Sequence, residues 1–394
     1  MMLGLLLARA GVDVIVLEKH GDFLRDFRGD TVHPSTLQVM HELGLLEEFL
    51  ARPHDKAYEL RVTVGDQEAR IADFRRLHTR CGFIAMVPQW EFLDFLRDHA
   101  VLYPNFRLLL NAEATGVVER DGRVSGVTAR TPDGELRIEA DLVVGADGRR
   151  STLRQAAGLA VRDLGAPIDV LWMRIAKRPG DPQGSGGRIG TGRFLAMIDR
   201  GSYWQCAFVI RKGGIEAVQA RGLEAFRADL ARLVPQFAGR LEQDLPDWEA
   251  IKLLSVSVDR LETWWKPGLL CIGDAAHAMS PIGGVGINLA IQDAVATANI
   301  LAATLADRAA GADAITPLLA RVQARRLLPT RVIQAVQVVA QNNLITPVLD
   351  STRPPAMPFA LKLLDRFAVL RAIPAYAVGI GVRPEHVRSP KMGA

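Results

Sequence analysis

Gly273-Asp274-Ala275-Ala276-His277-Ala278-Met279-Ser280-Pro281-Ile282-Gly283-Gly284-Val285-Gly286-Ile287-Asn288 is the stretch that decides the fold. It follows Leu269-Leu270-Cys271-Ile272, an apolar run of strand character, and leads into residues 286–305, an apolar run of helical length. A strand ending at Asp274 delivers a carboxylate to a sheet edge, where it can accept hydrogen bonds from a polyol. Small residues follow, then Pro281, then three glycines in four positions, which let the backbone approach a ligand closely. The helix start at Gly286, Ile287 and Asn288 presents free N–H groups and a partial positive charge. That suits a ring edge that becomes anionic. His277, beside such a loop, reads as a hydrogen-bonded brace and not as a proton carrier.

A second strand–turn–helix signal lies upstream. Leu142-Val143-Val144-Gly145-Ala146-Asp147-Gly148-Arg149-Arg150-Ser151 combines a buried-strand pattern, a glycine turn carrying Asp147, and Ser151 as a helix N-cap. Residues 1–10 are helical in character, and Gly11 is a natural helix stop. Val12-Asp13-Val14-Ile15-Val16-Leu17 reads as a buried parallel strand ending in Glu18. In an open α/β sheet, ligands sit beyond the carboxyl ends of the strands. Glu18 there can accept hydrogen bonds from both ribose hydroxyls of an adenine dinucleotide. Taken alone, it reads as a solvated strand-end carboxylate.

The 394 residues are 49% hydrophobic and 23% charged by type, enough for a sizeable core. Disorder as the dominant state is excluded, and 35 glycines with 3 cysteines exclude collagen-like and disulfide-scaffold classes. The net charge of +4 suits an anionic ligand such as a phosphate ester. Lys and Arg are scattered, without the basic stripe of a nucleic-acid binder. Cys81, Cys206 and Cys271 show no CxxC spacing, so no metal site or disulfide framework is expected, and a reducing compartment is. The apolar start resembles a signal-peptide core, but no positive residue precedes it, so a cytoplasmic protein is expected. Residues 283–309 are the longest apolar stretch. Asn288, Gln292, Asp293 and Asn299 within it indicate a buried helix and not a membrane span.

The middle of the chain is rich in strands. Residues 106–146 carry two Asp-Gly turn signals, Asp121-Gly122 and Asp133-Gly134. Residues 168–175, 194–199 and 203–210 read as a separate antiparallel sheet, the Gly/Pro-rich stretch 179–192 as a mobile loop, and 222–241 as a helix. Residues 34–43 and 91–102 are helical by spacing, residues 58–64 alternate as a strand, and the chain beyond 311 is mostly helical. Such an order gives a parallel sheet built from distant segments, with an antiparallel sheet inserted.

These motifs resemble, in kind and order, those of the flavoprotein monooxygenases of the para-hydroxybenzoate hydroxylase fold. Gly145-Ala146-Asp147-Gly148 looks like that family's DG motif and Gly273-Asp274-Ala275-Ala276-His277 like its GD motif. Phe27-Arg28-Gly29-Asp30-Thr31-Val32-His33-Pro34 resembles the segment leading into its second helix. The likeness covers roughly residues 1–310. The fold class it implies is α/β: a Rossmann-like FAD/NAD(P)-binding sheet, first strand missing, from residues 1–56, 84–165 and 255–310. An antiparallel-sheet substrate domain (57–83 and 166–254) is inserted, and a helical C-terminal region (311–394) follows.

The resemblance implies FAD as cofactor, with NADH or NADPH as a transient cosubstrate. Glu18 is then matched to the adenosine ribose, Arg28 and Gly29 to the pyrophosphate, Gln89 to the ribityl chain and the Val117 backbone to the adenine. Asp147 and Asp274 lie on the cofactor, Asp274 at the ribityl chain. Gly286, Ile287 and Asn288 meet the flavin's pyrimidine edge, which turns anionic on reduction. Pro281 borders the substrate at the flavin face, the catalytic position. The implied reaction is hydroxylation by O₂: NAD(P)H reduces FAD, and a flavin C4a-hydroperoxide passes oxygen to an electron-rich, phenolic or aromatic small molecule in a dry pocket. Trp172, Phe194 and Tyr203 are the candidate substrate wall; Met173, Met197 and Trp204 lie on the same strands, where alternate residues face the core. No metal is involved.

One departure is large. The family opens with a strand and a GxGxxG turn that receives the pyrophosphate, and no such turn precedes the first helix here. A parallel sheet without its middle strand leaves backbone groups unpaired. The expectation is therefore a start about 15 residues late, with truncation as the alternative and FAD affinity impaired for the chain as it stands. Three other readings compete. A halogenase or reductase sibling lacks support, because Trp264-Trp265-Lys266-Pro267 is not the halogenase WxWxIP segment. A non-catalytic remnant is opposed by Asp147, Asp274 and Pro281. A flavoprotein acting on a quinone-like lipid precursor at the membrane surface would use the apolar spacing of residues 359–370, a pattern that otherwise marks a core or homodimer helix.

Overall fold

The structure is a computed structural model that describes residues 1–24, 31–182 and 184–392. Helix α1 (Met2–Arg9) stops where Gly11 takes φ +87°. Gly4 on α1 faces the next two strands so closely that a Cβ would stand 2.9 Å from the Phe106 ring and 3.0 Å from Val16. Strand β1 (Val14–Leu17) and helix α2 (Pro34–Glu42) follow. A hairpin of β2 (Glu59–Val64) and β3 (Gln67–Asp73) precedes helix α3 (Gln89–Ala100), which begins at Gln89 and not at residue 91, with Pro88 as its N-cap. Strand β4 (Phe106–Leu109) runs parallel to β1, with Val14 opposite Phe106. β1 is only half-buried, not buried as the sequence suggests: Ile15 is 41% exposed. Among the described residues β1 pairs with β4 alone.

Strands β5 (Glu113–Arg120), β6 (Arg123–Thr131) and β7 (Gly134–Glu139) form a meander. Its first turn uses positive φ at Asp121 (+51°) and Gly122 (+74°), the backbone that a two-residue hairpin loop of the I′ type demands. Strand β8 (Val143–Gly145) then leads into the short helix α4 (Thr152–Ala156).

The inserted sheet has seven strands. β9 (Ile168–Ala176), β10 (Gly186–Gly190), β11 (Arg193–Asp199) and β12 (Tyr203–Arg211) come in succession, then helix α5 (Leu223–Leu233) and β13 (Lys252–Leu254). The spatial order is β13-β9-β12-β11-β10-β2-β3. Two expectations are corrected here. Part of the glycine-rich stretch 179–192 is strand β10, parallel to β2 and antiparallel to β11. Its glycines serve close packing: a Cβ on Gly187 would lie 3.1 Å from the Phe194 ring, and one on Gly190 2.7 Å from Leu233. Helix α5 ends at Leu233 and not near 241, because Pro235 starts a new turn.

The sheet buries two different faces. Leu171, Met173, Leu195, Met197, Trp204 and Phe208 pack against Phe226 and Leu230 of α5. Ile168, Val170, Ala207 and Val209, with Trp172 and Phe194, face Ile282, Ile345 and Leu349. Strand β14 (Leu269–Cys271) is followed by helices α6 (Gly286–Ala306), α7 (Ala312–Ala340), α8 (Phe359–Arg366) and α9 (Ala372–Gly379), with one short helical turn at Thr346–Asp350 between α7 and α8. The main core gathers Leu5 and Leu6 of α1, Phe92 and Phe95 of α3, Trp264, and Val295 and Leu301 of α6. α6 and the turn before it are long and apolar enough to cross a membrane, yet 61% of the apolar window is buried inside the protein. A central core helix explains that composition.

Gly268, just before β14, packs against the meander. Its φ is +78°, and a Cβ there would fall 1.8 Å from the Val124 carbonyl oxygen. Gly268→Ala is expected to cost roughly 3 kcal/mol or more from strain and overlap together, read as a lowered urea midpoint with unchanged slope.

Candidate active site

β8 and β14 lie side by side and parallel, with Gly145 opposite Cys271, and the Ile272 N–H donates to the Gly145 carbonyl at 3.0 Å. Two strands far apart in sequence therefore end together. Their turns carry Asp147 and Asp274. Gly148 (φ +85°) and Gly273 (φ +58°) supply the left-handed backbone that turns the chain there. Gly145 is equally constrained, since a Cβ would press on the Cys271 sulfur at 3.1 Å. Burial pushes the Cys271 thiol up to about 12.

Side chains then tie the two turns to each other. Asp147 Oδ2 accepts the Leu153 N–H at 3.1 Å, and Ser151 Oγ accepts the Arg154 N–H at 3.0 Å, so both help start α4. Arg149 bridges across to Asp274 at 3.4 Å. Arg154 reaches Asp259 and the Ala275 carbonyl, each at 3.3 Å, and the Arg149 carbonyl at 2.5 Å.

Behind the second turn sits Asp293, fully buried on α6. It accepts the Gly273 N–H at 3.0 Å, His277 Nε2 at 2.5 Å and Arg326 Nε at 2.9 Å. Burial raises its carboxyl pKa, but the His277 and Arg326 partners outweigh burial and hold it below the ordinary range. His277 also packs its ring against Trp264, 4.9 Å between centroids. It is the brace that the sequence indicates. Asp293 itself had no assigned role. An acid inside an apolar helix was the one signal for it.

The start of α6 is open. No side chain caps it, Gly283 and Gly284 take φ of +78° and +62°, and nothing lies within 4 Å of where a Gly286 Cβ would be. The first N–H groups of the helix, at Gly286, Ile287 and Asn288, have no intrahelical acceptor. The Asn288 side chain is fully engaged elsewhere. Its Oδ1 accepts the His33 N–H (2.9 Å) and Thr36 Oγ1 (2.8 Å), while Nδ2 donates to the Thr31 (3.0 Å) and Gly284 (3.2 Å) carbonyls. It therefore anchors residues 31–36 onto the helix start, and only its backbone faces outward chemistry. His33, given no role from sequence, is buried beside this turn. Its Nδ1 meets the Val378 carbonyl at 2.8 Å, and burial lowers its pKa to about 4, so the ring is neutral at pH 7.

The remaining sequence candidates fall as follows. Glu18 lies at the carboxyl end of β1 and accepts the His20 N–H at 2.9 Å. The preceding Leu17 and Val117 both pack against the cluster that holds Val143 and Leu153, which places the end of β1 and β8 over one apolar cluster. Gln89 is the first residue of α3 and does not cap it. Pro281 opens the turn that precedes α6. Trp172 and Phe194 share the sheet face that meets Ile282. Tyr203 does not join them. It pairs with Ala176, four positions along β9 from Trp172, and lies under the Arg174 guanidinium at 5.2 Å. Met173, Met197 and Trp204 belong to the opposite, core face. Arg28 and Gly29 lie outside the described residues.

The donor set fits FAD: carboxylates for hydroxyls at Glu18, Asp147 and Asp274, and an uncapped helix start with open space in front of Gly286 for a carbonyl edge. Fold and site together define an FAD-binding α/β flavoprotein. The chain belongs to the FAD binding domain family, whose pattern matches residues 1–334. It is an FAD-dependent oxidoreductase of the monooxygenase type, with the para-hydroxybenzoate hydroxylase fold indicated by its two acidic motifs. It is 31% identical over 374 residues to 6-methylpretetramide 4-monooxygenase of Streptomyces rimosus, covering 94% of this chain and 88% of that one. It is 29% identical over 298 residues to rifampicin monooxygenase of Streptomyces venezuelae, covering 72% and 58%. The crystal structure of PqsL from Pseudomonas aeruginosa, a probable FAD-dependent monooxygenase, matches with a TM-score of 0.73 at 23% identity, over 89% of this chain and 96% of that one, a likeness of fold.

Asp293→Asn removes one of the two carboxylates that meet the buried Arg326, leaving only Glu385 at 3.4 Å, and should cost about 3 kcal/mol at pH 7. Because the folded carboxyl pKa is depressed, the contribution of Asp293 is fully present above the unfolded value near 4 and is lost as pH falls through the folded value. Urea unfolding of both proteins from pH 7 to pH 3 should show the gap closing on the acid side.

Proposed function

We propose that this protein hydroxylates an electron-rich phenolic or aromatic small molecule with O₂, taking electrons from NADH or NADPH. The observation that carries this reading is the meeting of the Asp147 and Asp274 turns at the ends of two paired parallel strands. FAD, when bound, supplies the redox chemistry that links nicotinamide oxidation to oxygen activation. The chain's residues supply binding and position. Asp274 accepts hydrogen bonds from the ribityl hydroxyls, and Glu18 from the adenosine ribose. Arg28 and Gly29 serve the pyrophosphate, Gln89 the ribityl chain and the Val117 backbone the adenine. The N–H groups of Gly286, Ile287 and Asn288, at the positive end of α6, would hold the flavin's pyrimidine edge and favour negative charge there.

Pro281 borders the substrate. Trp172 and Phe194, on the sheet face that meets Ile282, form the apolar wall that keeps water from the reacting atoms. In this division of labour, residues 1–56, 84–165 and 255–310 hold the cofactor, while 57–83 and 166–254 hold the substrate. The relatives named 6-methylpretetramide 4-monooxygenase and rifampicin monooxygenase support an organic small-molecule substrate for this site as well.

The test is a stopped assay of flavin-loaded protein with NADH or NADPH and a panel of phenols, read by nicotinamide oxidation and product mass. An aromatic-dependent rise in oxidation with a product heavier by one oxygen is expected. Bound FAD that no nicotinamide reduces, across the panel, overturns the reading. Asp274→Ala should weaken FAD retention about 10- to 100-fold, the worth of one charge-assisted hydrogen bond, measured by equilibrium dialysis.

A further inference from the structure

A cavity of about 460 Å³ lies between the second half of α6, the first half of α7 and the C-terminal strap of residues 385–389. It is remote from the acidic turns. Asn299, one of its lining residues, is 13 residues beyond Gly286 on the same helix, about 20 Å along the axis. Three guanidinium groups line it: Arg321, Arg325 and Arg388. Glu385 is the one carboxylate there, and it is committed. It pairs with Arg325 Nε at 2.6 Å and with the buried Arg326 at 3.4 Å, whose other partner is Asp293.

The cationic side is built, not incidental. Asn299 donates to the His386 carbonyl at 2.8 Å and accepts the Arg388 and Ser389 N–H groups at 2.7 and 2.8 Å, which fixes the strap and Arg388 at the rim. Arg325 has its Nε edge taken by Glu385, and its terminal nitrogens have no partner among the described residues. The side chains of Arg321 and Arg388 likewise make no ion pair or hydrogen bond among the described residues. Three like charges thus converge on one concave space with a single shared carboxylate behind them. Planar guanidinium forks match the oxygens of a tetrahedral dianion, and the volume is that of a small-molecule site.

We propose that this cavity is a phosphate-binding site, separate from the flavin site, with Arg321, Arg325 and Arg388 as its ligands. The chemistry is that of a phosphate dianion, free or carried on an organic ester, and the two sources are separable. Flavin-loaded protein at pH 8 is titrated with inorganic phosphate by calorimetry, against sodium chloride of matched ionic strength, and then with adenosine 5′-monophosphate.

Saturable one-to-one binding of phosphate is expected, absent with chloride. The Arg321→Ala/Arg388→Ala double variant should bind at least about tenfold more weakly with flavin content unchanged. Both residues are solvent-exposed, and Arg321→Gln alone, expected to weaken binding several-fold, guards against loss of folding in the double variant. Tighter binding of the monophosphate than of phosphate, with competition between them, assigns an ester; equal or weaker binding assigns free phosphate. No saturable phosphate binding, or binding undiminished in both variants, overturns the proposal.

Discussion

Asp293 is a carboxylate with no access to water, set in the middle of an apolar helix. Ionised and alone, it would be untenable there. It survives because the Gly273 N–H, His277 and Arg326 converge on its two oxygens. That convergence fixes three things at once: the exit of β14, the segment carrying Asp274, and the registry of α7 against α6. Gly273 can adopt its left-handed backbone only if the N–H it turns inward finds an acceptor, and Asp293 is that acceptor. The candidate active site is thus held from behind by one buried ion and its two charged or chargeable partners.

The same economy appears at the helix start. Asn288 uses all its side-chain capacity to bind Thr31, His33, Thr36 and Gly284. Its backbone, with those of Gly286 and Ile287, is left to face whatever lies in front of α6. Rigid support from the side chain and free donors from the main chain come from one residue. The inserted sheet divides in a comparable way, since one face of β9 and β12 builds its own core with α5 while the other meets Ile282 and the helical region.

Strand-to-glycine-turn patterns made the acidic turns legible in the sequence, because a carboxylate just past an apolar strand has few structural reasons to be there. The Asp-Gly hairpins were legible for the same local reason. Packing was not. Gly186, Gly187 and Gly190 look like loop glycines by composition, and only the proximity of Phe194 and Leu233 shows that they are strand glycines chosen for lack of a side chain. The alternation of Trp172 and Met173 between faces was foreseeable, whereas the remoteness of Tyr203 from Trp172 depends on strand register, which no local pattern encodes. The roles of His33 and Asp293 were not legible for a further reason: each acquires meaning from partners hundreds or tens of residues away, although an acid inside an apolar helix marks Asp293 as a residue with a buried partner.

Cys271, the last residue of β14, lies opposite Gly145 on the neighbouring strand. With its proton held up to about 12, the reactive sulfur anion is essentially unpopulated at neutral pH, on the order of one molecule in 10⁵. A sulfur atom can therefore sit at the root of the Asp274 turn without offering an oxidant an easy target. Its small, soft, apolar volume is used because Gly145 leaves room for it, and its redox chemistry is silenced by burial.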